Sequence, residues 1–422
     1  MNSKLIKMLN FAIYKTMKRV LCHLQCDVIK KNVLRKFVRK PHYSEKTLSH
    51  THLKRLLQKC RSVLEQFEVF NSYTQLTDED ISIRKSICKD IENAFQPHFP
   101  HCAVELTGSS VSRLGLKNSD VDLSFQTFSN ETKKHNSTDD ICIDFKEDTK
   151  MGNSSFAGFS QLISKEKLCH LKTLLTDAGF DKQSKVIPGV CPILYFTHRN
   201  LACDLSIENK SALYSTNLML FCNMLEKRVA PLYRFLIYWF KYHKLCGGIS
   251  KFKSYAVFLL VIYFLQTRNP PILPTVEDMI QRAEIISDKS SVTYANEYFN
   301  TFENSKNSES LEELIKEFFC FYAKFSYSKA ICPLVARSVD TTELTSRSLA
   351  SGNVFQANSI SIQDPLDPNW NVTNGVNHKY CSLFQRGMIL LSKYCYPDEY
   401  WKPTTTGTWG LLHLLELKIP QK

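Results

Sequence analysis

Two aspartates one residue apart, Asp120 and Asp122, stand in the segment Leu116-Lys117-Asn118-Ser119-Asp120-Val121-Asp122-Leu123. On a β-strand this spacing turns both carboxylates to one side and sends Val121 and Leu123 to the other, into a core. Two like charges on one face repel unless cations lie between them, and hard oxygen ligands of this kind suit Mg2+ or Mn2+. A third acid, Asp204, lies inside the short apolar run Leu201–Ile207, where a carboxylate is costly unless paired or metal-bound. Upstream, Gly108-Ser109 opens a turn whose free N–H groups and hydroxyl can hold phosphate oxygens. If the Asp204 strand lies beside the Asp120 strand, three carboxylates converge. Two cations held that way can activate a hydroxyl and stabilise a leaving pyrophosphate. A D-x-D pair or a Gly-Ser turn alone is commonplace. Their conjunction with a later Asp on a second apolar strand points to nucleotidyl transfer.

The elements that must position these residues follow from periodicity. Leu53, Leu56, Leu57, Val63, Leu64 and Phe67 recur at helical spacing, and a second helix is expected over 81–95. Residues 103–125 read as strand, turn and strand. Residues 127–157 are dominated by Ser, Thr, Asn, Lys and Asp and read as a long mobile loop. A helix over 162–175 is followed by strands at Lys185–Ile187, 193–197 and Leu201–Ile207, the last two joined by the short connection His198-Arg199-Asn200. From Ser211 onward the pattern is helical: 218–242, 255–266 and 311–323. The division this implies is a basic arm at 1–45, a catalytic domain with its preceding helices at 46–215, and a helical domain at 216–422.

Composition bounds the class. The chain has 422 residues, 43% hydrophobic and 23% charged, an ordinary globular balance that excludes a wholly disordered or fibrous chain. The net charge is +13, of which residues 1–40, with eleven Lys/Arg against the single acid Asp27, carry +10. The basic excess is therefore an N-terminal feature. As a helix, the arm sets Leu5, Leu9, Ile13, Met17 and Val20 against Lys4, Lys7, Lys15 and Lys18. A basic, acid-poor amphipathic segment of this kind is the pattern of a mitochondrial transit peptide, although it is richer in Lys than Arg and nearly lacks Ser. The fifteen cysteines form no C-x-x-C pair, and the Cys22, His23, Cys26 cluster falls short of zinc-site spacing. They read as reduced thiols of an intracellular protein. The longest apolar run, 255–265, is too short to span a membrane and reads as a buried helix.

The Gly-Ser turn followed by the D-x-D segment resembles the signature of the DNA polymerase β-like nucleotidyltransferases, and more narrowly the non-canonical poly(A) polymerases and terminal uridylyltransferases. The resemblance extends over roughly 60–420. Cys203-Asp204-Leu205-Ser206 with Asn209 is similar to the family's third-carboxylate strand. Ser254-Tyr255 resembles its nucleotide-contacting Ser-Tyr, the stretch from Arg268 to Pro274 resembles the loop that follows, and Asp364-Pro365-Leu366-Asp367 through Asn371-Val372 resembles its nucleotide-recognition motif. Ser215-Thr216 and Thr408-Trp409-Gly410-Leu411-Leu412 are similar to the mitochondrial poly(A) polymerases within that family.

The resemblance implies an α+β fold: a mixed-sheet, polymerase β-like catalytic domain and a mainly helical PAP-associated domain, with nucleotide held in a cleft between them and residues 50–75 packed back on the helical part. It implies that Asp120, Asp122 and Asp204 ligate two Mg2+ or Mn2+ ions, with Asp204 at the attacking 3′-hydroxyl. Gly108 and Ser109 would hold the triphosphate. Asn209 and Ser254 would contact ribose or phosphate, and Lys241 would neutralise phosphate. Tyr255 would stack on the base, with a core aromatic as the plain alternative, and Asp364 and Trp370 would belong to the nucleotide-recognition motif. Trp370 stands where uridine-selective relatives carry His, and an indole offers stacking in place of hydrogen bonds to uracil, which favours ATP. Asp364 stands where uridine-adding relatives have base-contacting acids. Ile237 stands where relatives often have a basic residue, so that either one phosphate contact is missing or Arg234 reaches in to supply it. The activity implied is addition of AMP from ATP to RNA 3′ ends, in the mitochondrial matrix, with a homodimer open to it and no membrane association. The alternatives are a terminal uridylyltransferase, with the cytoplasm as the alternative location, and a non-catalytic RNA-binding protein on the same fold.

Overall fold

The computed structural model describes residues 48–117, 119–128, 163–189, 191–287, 302, 305–349, 354–404 and 407–420. The basic arm, and most of the polar stretch expected to be a mobile loop, lie outside the described residues. The chain divides into two compact units, one formed by Leu76–Thr216 and the other by the segments on either side of it.

In the first unit, α3 (Asp78–Phe95) starts in a capping box: the Thr77 hydroxyl accepts from the Asp80 N–H while the Asp80 carboxylate accepts from the Thr77 N–H. There follow β1 (Cys102–Leu106), the single turn α4 (Gly108–Ser112), β2 (Val121–Thr127), α5 (Ser164–Asp177), β3 (Lys185–Ile187), β4 (Ile193–His198) and β5 (Leu201–Ile207). The strands form one mixed sheet in the order β1-β2-β5-β4-β3. β2 and β5 run parallel, and the other neighbours antiparallel. One face of the sheet is packed by α3 and α5. Val121, Leu123 and Phe125 of β2 and Cys203 and Leu205 of β5 meet Ile87, Ile91, Phe95, Leu168, Leu171 and Leu175 there. Because side chains alternate along a strand, the same burial turns Asp122 and Asp204 to the opposite face.

The second unit opens with α1 (His50–Gln58) and α2 (Val63–Thr74). The sequence division grouped these helices with the sheet, whereas the resemblance implied that 50–75 pack back on the helical part, as they do. In the structure they pack with α7 (Val229–Tyr242) and α13 (Gly410–Glu416). Gln66, fully buried, donates to the Trp409 carbonyl at 3.2 Å and accepts from the Leu411 N–H at 2.8 Å. The division between the units falls after Thr216, within α6 (Lys210–Leu225). The single helix expected over 218–242 is two helices, α6 and α7. Pro231 lies in the first turn of α7, where its missing N–H costs nothing, and it could not have continued α6. The Glu226 carboxylate takes the freed Arg228 N–H at 3.0 Å and pairs with its guanidinium at 2.8 Å.

α8 (Ser254–Gln266) is buried from Ala256 onward, which explains its uniformly apolar sequence. α9 (Val276–Ser287), α10 (Leu311–Lys324), α11 (Thr341–Leu349), α12 (His378–Ser392) and a 3-10 turn (Asp398–Trp401) complete the helices of this unit among the described residues. A hairpin of β6 (Lys329–Cys332) and β7 (Arg337–Asp340) was not anticipated from sequence. It matters because β6 backs the segment 360–372: the Ile331 N–H donates to Ser361 O, and the Gln363 N–H donates to Ile331 O, both at 2.9 Å. No described helix is long and apolar enough to cross a membrane.

Candidate active site

Asp122 and Asp204 lie opposite each other in the register of the parallel pair β2 and β5, so both carboxylates leave the sheet on the face away from α3 and α5. Asp120 is exposed and sits just before β2, in the turn that feeds it. The expected three-acid grouping is therefore two strand residues in register and a third at the strand entry. Burial, then the Asp204 and Asp120 charges, push the Asp122 carboxyl up to about 7, against the opposing pull of Arg84 and of a hydrogen bond from the Ser109 N–H. Like charges so placed raise each other's affinity for a proton or for a cation.

Gly108 fits against this group. Its φ is +62°, and a Cβ there would stand 2.3 Å from Asp122 Oδ2, so only glycine allows the turn and the carboxylate to meet. The Gly108 N–H donates to Thr216 Oγ1 at 2.7 Å, and the Thr216 hydroxyl in turn donates to the Ala212 carbonyl. The Ser109 hydroxyl donates to Ser119 Oγ at 3.2 Å. Gly115 makes room for that contact, since a Cβ would lie 2.9 Å from one hydroxyl and 3.0 Å from the other. The Gly-Ser turn and the entry to β2 are thus one locked piece.

The donor set fits hard divalent cations: three carboxylate side chains, two of them in register, with a raised Asp122 pKa that bound positive charge would reverse. Among the described residues no three acid, His or Cys side chains are already gathered at metal-ion spacing. Asp120, the exposed member, would have to turn inward to complete the set.

Asn209 has a structural task in this unit. Its Oδ1 accepts from the Ala212 N–H at 3.0 Å in the first turn of α6, and its Nδ2 donates to Cys191 Sγ at 3.0 Å. Two contributors were missed from sequence. Thr216 was noted only as part of a Ser-Thr match. Arg84 escaped altogether, although a lone Arg between Ile81, Ile87 and Ile91 on the apolar stripe of a helix was the available signal.

The other nominated residues belong to the helical unit. Lys241 is exposed on the last turn of α7, and Ser254, also exposed, opens α8. The Tyr255 hydroxyl donates to Asp364 Oδ1 at 3.1 Å, and burial holds the phenol well above its usual range. Burial also pushes the Asp364 carboxyl up to about 6, while its bonds from Tyr255 and from the Leu366 N–H oppose that shift. The Trp370 carbonyl accepts from the Asp364 N–H at 2.9 Å and its N–H donates to Asp367 O at 2.8 Å, closing a loop that leaves the indole 40% exposed. Asn371, buried beneath, accepts from the Ile362 and Thr373 N–H groups at 3.0 and 3.1 Å. Arg234 is buried among α7 neighbours, and its guanidinium donates to Asn71 Oδ1 at 3.3 Å, pointing it toward α2. The twelve cysteines among the described residues are all free.

Residues 63–222 match the model of the central palm domain of mitochondrial-like poly(A) RNA polymerases. The chain is 26% identical over 391 residues to the mitochondrial poly(A) RNA polymerase of Homo sapiens, covering 89% of this chain and 63% of that one. It is 27% identical to the speckle targeted PIP5K1A-regulated poly(A) polymerase of Danio rerio, covering 85% of this chain and 49% of the relative. The chain thus spans about half to two-thirds of the length of these relatives. Among solved structures, apo mtPAP superposes with a TM-score of 0.70 at 22% identity over 90% of this chain and 78% of that chain. The Cid1 poly(U) polymerase superposes at 0.59 and 18% identity, over 86% of this chain and all of that one. Over residues 63–222 the chain is thus similar in sequence to the central palm domain of the mitochondrial-like poly(A) RNA polymerases, and its fold is shared with mtPAP over 90% of its length.

Proposed function

We propose that the protein is a template-independent RNA 3′-end nucleotidyltransferase that adds AMP from ATP. The observation that carries this reading is the register of Asp122 against Asp204 beside the Gly108 turn. In the reaction, the 3′-hydroxyl oxygen of RNA bonds to the α-phosphorus of ATP, the bond to pyrophosphate breaks, and the hydroxyl proton is lost. Asp120, Asp122 and Asp204 would hold two divalent ions, Mg2+ or Mn2+. When bound, these supply charge stabilisation for the attacking and leaving oxygens. Asp204 would accept the hydroxyl proton. Gly108 and Ser109 keep a backbone turn close to the carboxylates. Contrary to the sequence expectation its donors are not free, since the Gly108 N–H bonds Thr216 and the Ser109 N–H and hydroxyl bond Asp122 and Ser119, so they would exchange these partners for phosphate oxygens. Lys241 and Ser254 offer a cation and a hydroxyl to the triphosphate. Tyr255, anchored at its hydroxyl by Asp364, and the half-exposed Trp370 offer π faces to the base.

ATP is preferred on the strength of Trp370, which presents stacking surface and a single N–H where recognition of uracil calls for a more versatile hydrogen-bonding partner. The acidic Asp364 and the fold shared with a poly(U) polymerase support uridylyl transfer as the second reading. The mitochondrial matrix is the proposed location, supported by the basic composition of residues 1–40, and a homodimer is the proposed assembly. Labelled oligo(A) RNA incubated with protein, Mg2+ or Mn2+, and each nucleotide in turn tests the reading. Extension with ATP above the other three is expected. A UTP ladder would replace the first reading with the second, and RNA binding without extension in any lane would leave only a binding protein.

A further inference from the structure

Arg84 is 1% exposed, on a helix whose other inward residues are apolar. A guanidinium in that place needs a reason, because burial of its charge is expensive. Its bonds supply one. Nη1 donates to Ser110 Oγ at 2.8 Å and to the Asp120 carbonyl at 2.9 Å, and Nη2 donates to the Ser119 carbonyl at 2.6 Å and to Ser119 Oγ at 3.4 Å. One side chain therefore grips the helical turn that follows Gly108 and both carbonyls that precede β2.

We propose that Arg84 is a positioning residue for the metal-binding carboxylates: its planar fork fixes Ser119 and Asp120 against the Gly-Ser turn, so that Asp120 leaves the strand entry beside Asp122 and Asp204. The assignment deepens the metal-dependent reading above and rests on it. Asp120 needs such a clamp because it stands outside the ladder of β2, where no strand pairing holds its backbone. Arg84 is not simply the counter-ion of the acids. All its hydrogen bonds go to carbonyl and hydroxyl oxygens. Charge alone would repel a metal ion. The fork is what aids binding, since five donors in a fixed plane can serve two carbonyls and two hydroxyls at once, as a lysine ammonium cannot.

The test uses the full chain and the binding of free Mn2+, read from the electron paramagnetic resonance of the unbound ion, beside ATP kinetics. Arg84→Lys keeps the charge and loses the fork, Arg84→Met loses both, and Ser110→Ala removes one bond at the far end. Both Arg84 variants are expected to bind Mn2+ about 10–100-fold more weakly, the range for groups that orient metal ligands. Their kcat should fall while KM for ATP stays within about threefold. Ser110→Ala should shift Mn2+ affinity in the same direction and less. A folded Arg84→Met with wild-type Mn2+ affinity overturns the proposal. If that variant does not fold, wild-type affinity in both Arg84→Lys and Ser110→Ala overturns it. Full rescue by Arg84→Lys would mean that charge and not the fork matters, which also overturns it. A wild-type chain that binds no Mn2+ defeats the metal reading itself, an outcome separate from the others.

Discussion

At the scale of residues, Asp122 is the centre of the site: it shares its register with Asp204 and touches the Gly108 turn. Asp122→Ala should lower RNA extension on the order of a hundredfold or more, the cost of losing a ligand to catalytic cations, while circular dichroism stays native. Near-normal extension by that variant would remove the metal site from the mechanism. Gly108→Ala probes the same contact from the other side. Its methyl group would enter at 2.3 Å from Asp122 Oδ2, at a φ of +62°. Left-handed backbone alone costs alanine about 1–2 kcal/mol. Displacement of the carboxylate should cost about a hundredfold in kcat, since shifts near 1 Å are enough for that. Stability that falls by this amount with kcat unchanged would show that the turn is structural only. The carboxylates were legible in the sequence because a strand alternates: Val121, Leu123, Cys203 and Leu205 had to be buried, so Asp122 and Asp204 had to emerge on the other face. Arg84 was not read because a charged residue on an apolar stripe is invisible to a periodicity argument that counts only hydrophobic positions. Asn209 was assigned to ribose or phosphate on resemblance, and the helix start it caps shows a second reason for an Asn there.

At the scale of elements, the apolar stripes of α3 and α5 and the wholly apolar α8 could be read directly, since each buries the face its sequence marks. The break between α6 and α7 was hidden because its three residues, Glu226-Lys227-Arg228, are charged ones that a continuous helix can also carry on a solvent face, and only Pro231 marks it. The β6–β7 hairpin was missed because strands of four residues carry too little alternation to register. α7 also carries a pH dependence just beyond its end. Burial lowers the His243 pKa from 6.5 to about 4, and its Nε2 has no hydrogen-bond partner. As pH falls from 6.5 toward 4, the unfolded chain takes up a proton that the folded one does not, so stability is complete above this window and declines within it. Allowing for solvent screening, the loss at pH 5 should be about 1 kcal/mol. Thermal melts of the wild type and His243→Gln at pH 7 and pH 5 check this: the variant should lose less stability between the two. Equal losses would assign the acid sensitivity elsewhere.

At the scale of the molecule, the sequence led to two functional groupings, and each is coherent within its own unit: carboxylates and a glycine turn on the sheet, and a Tyr255–Asp364 pair with a clasped Trp370 loop among the helices. Helices α1 and α2 joined the second unit although the chain order places them before the first, because the Gln66 amide and its apolar neighbours find their partners near Trp409. Nothing local in 50–74 announces such a distant partner. The charge asymmetry gives a prediction at this scale too. Residues 1–45 fused to a fluorescent protein should carry it into mitochondria, and diffuse fluorescence would withdraw the proposed location. The central claim, that these three carboxylates hold the catalytic cations, is tested most directly by crystals grown with Mn2+ and a non-hydrolysable ATP analogue. Anomalous scattering should place manganese against Asp122 and Asp204, with Asp120 turned in to meet it. Manganese bound elsewhere, or none in a protein that still extends RNA, would contradict the account.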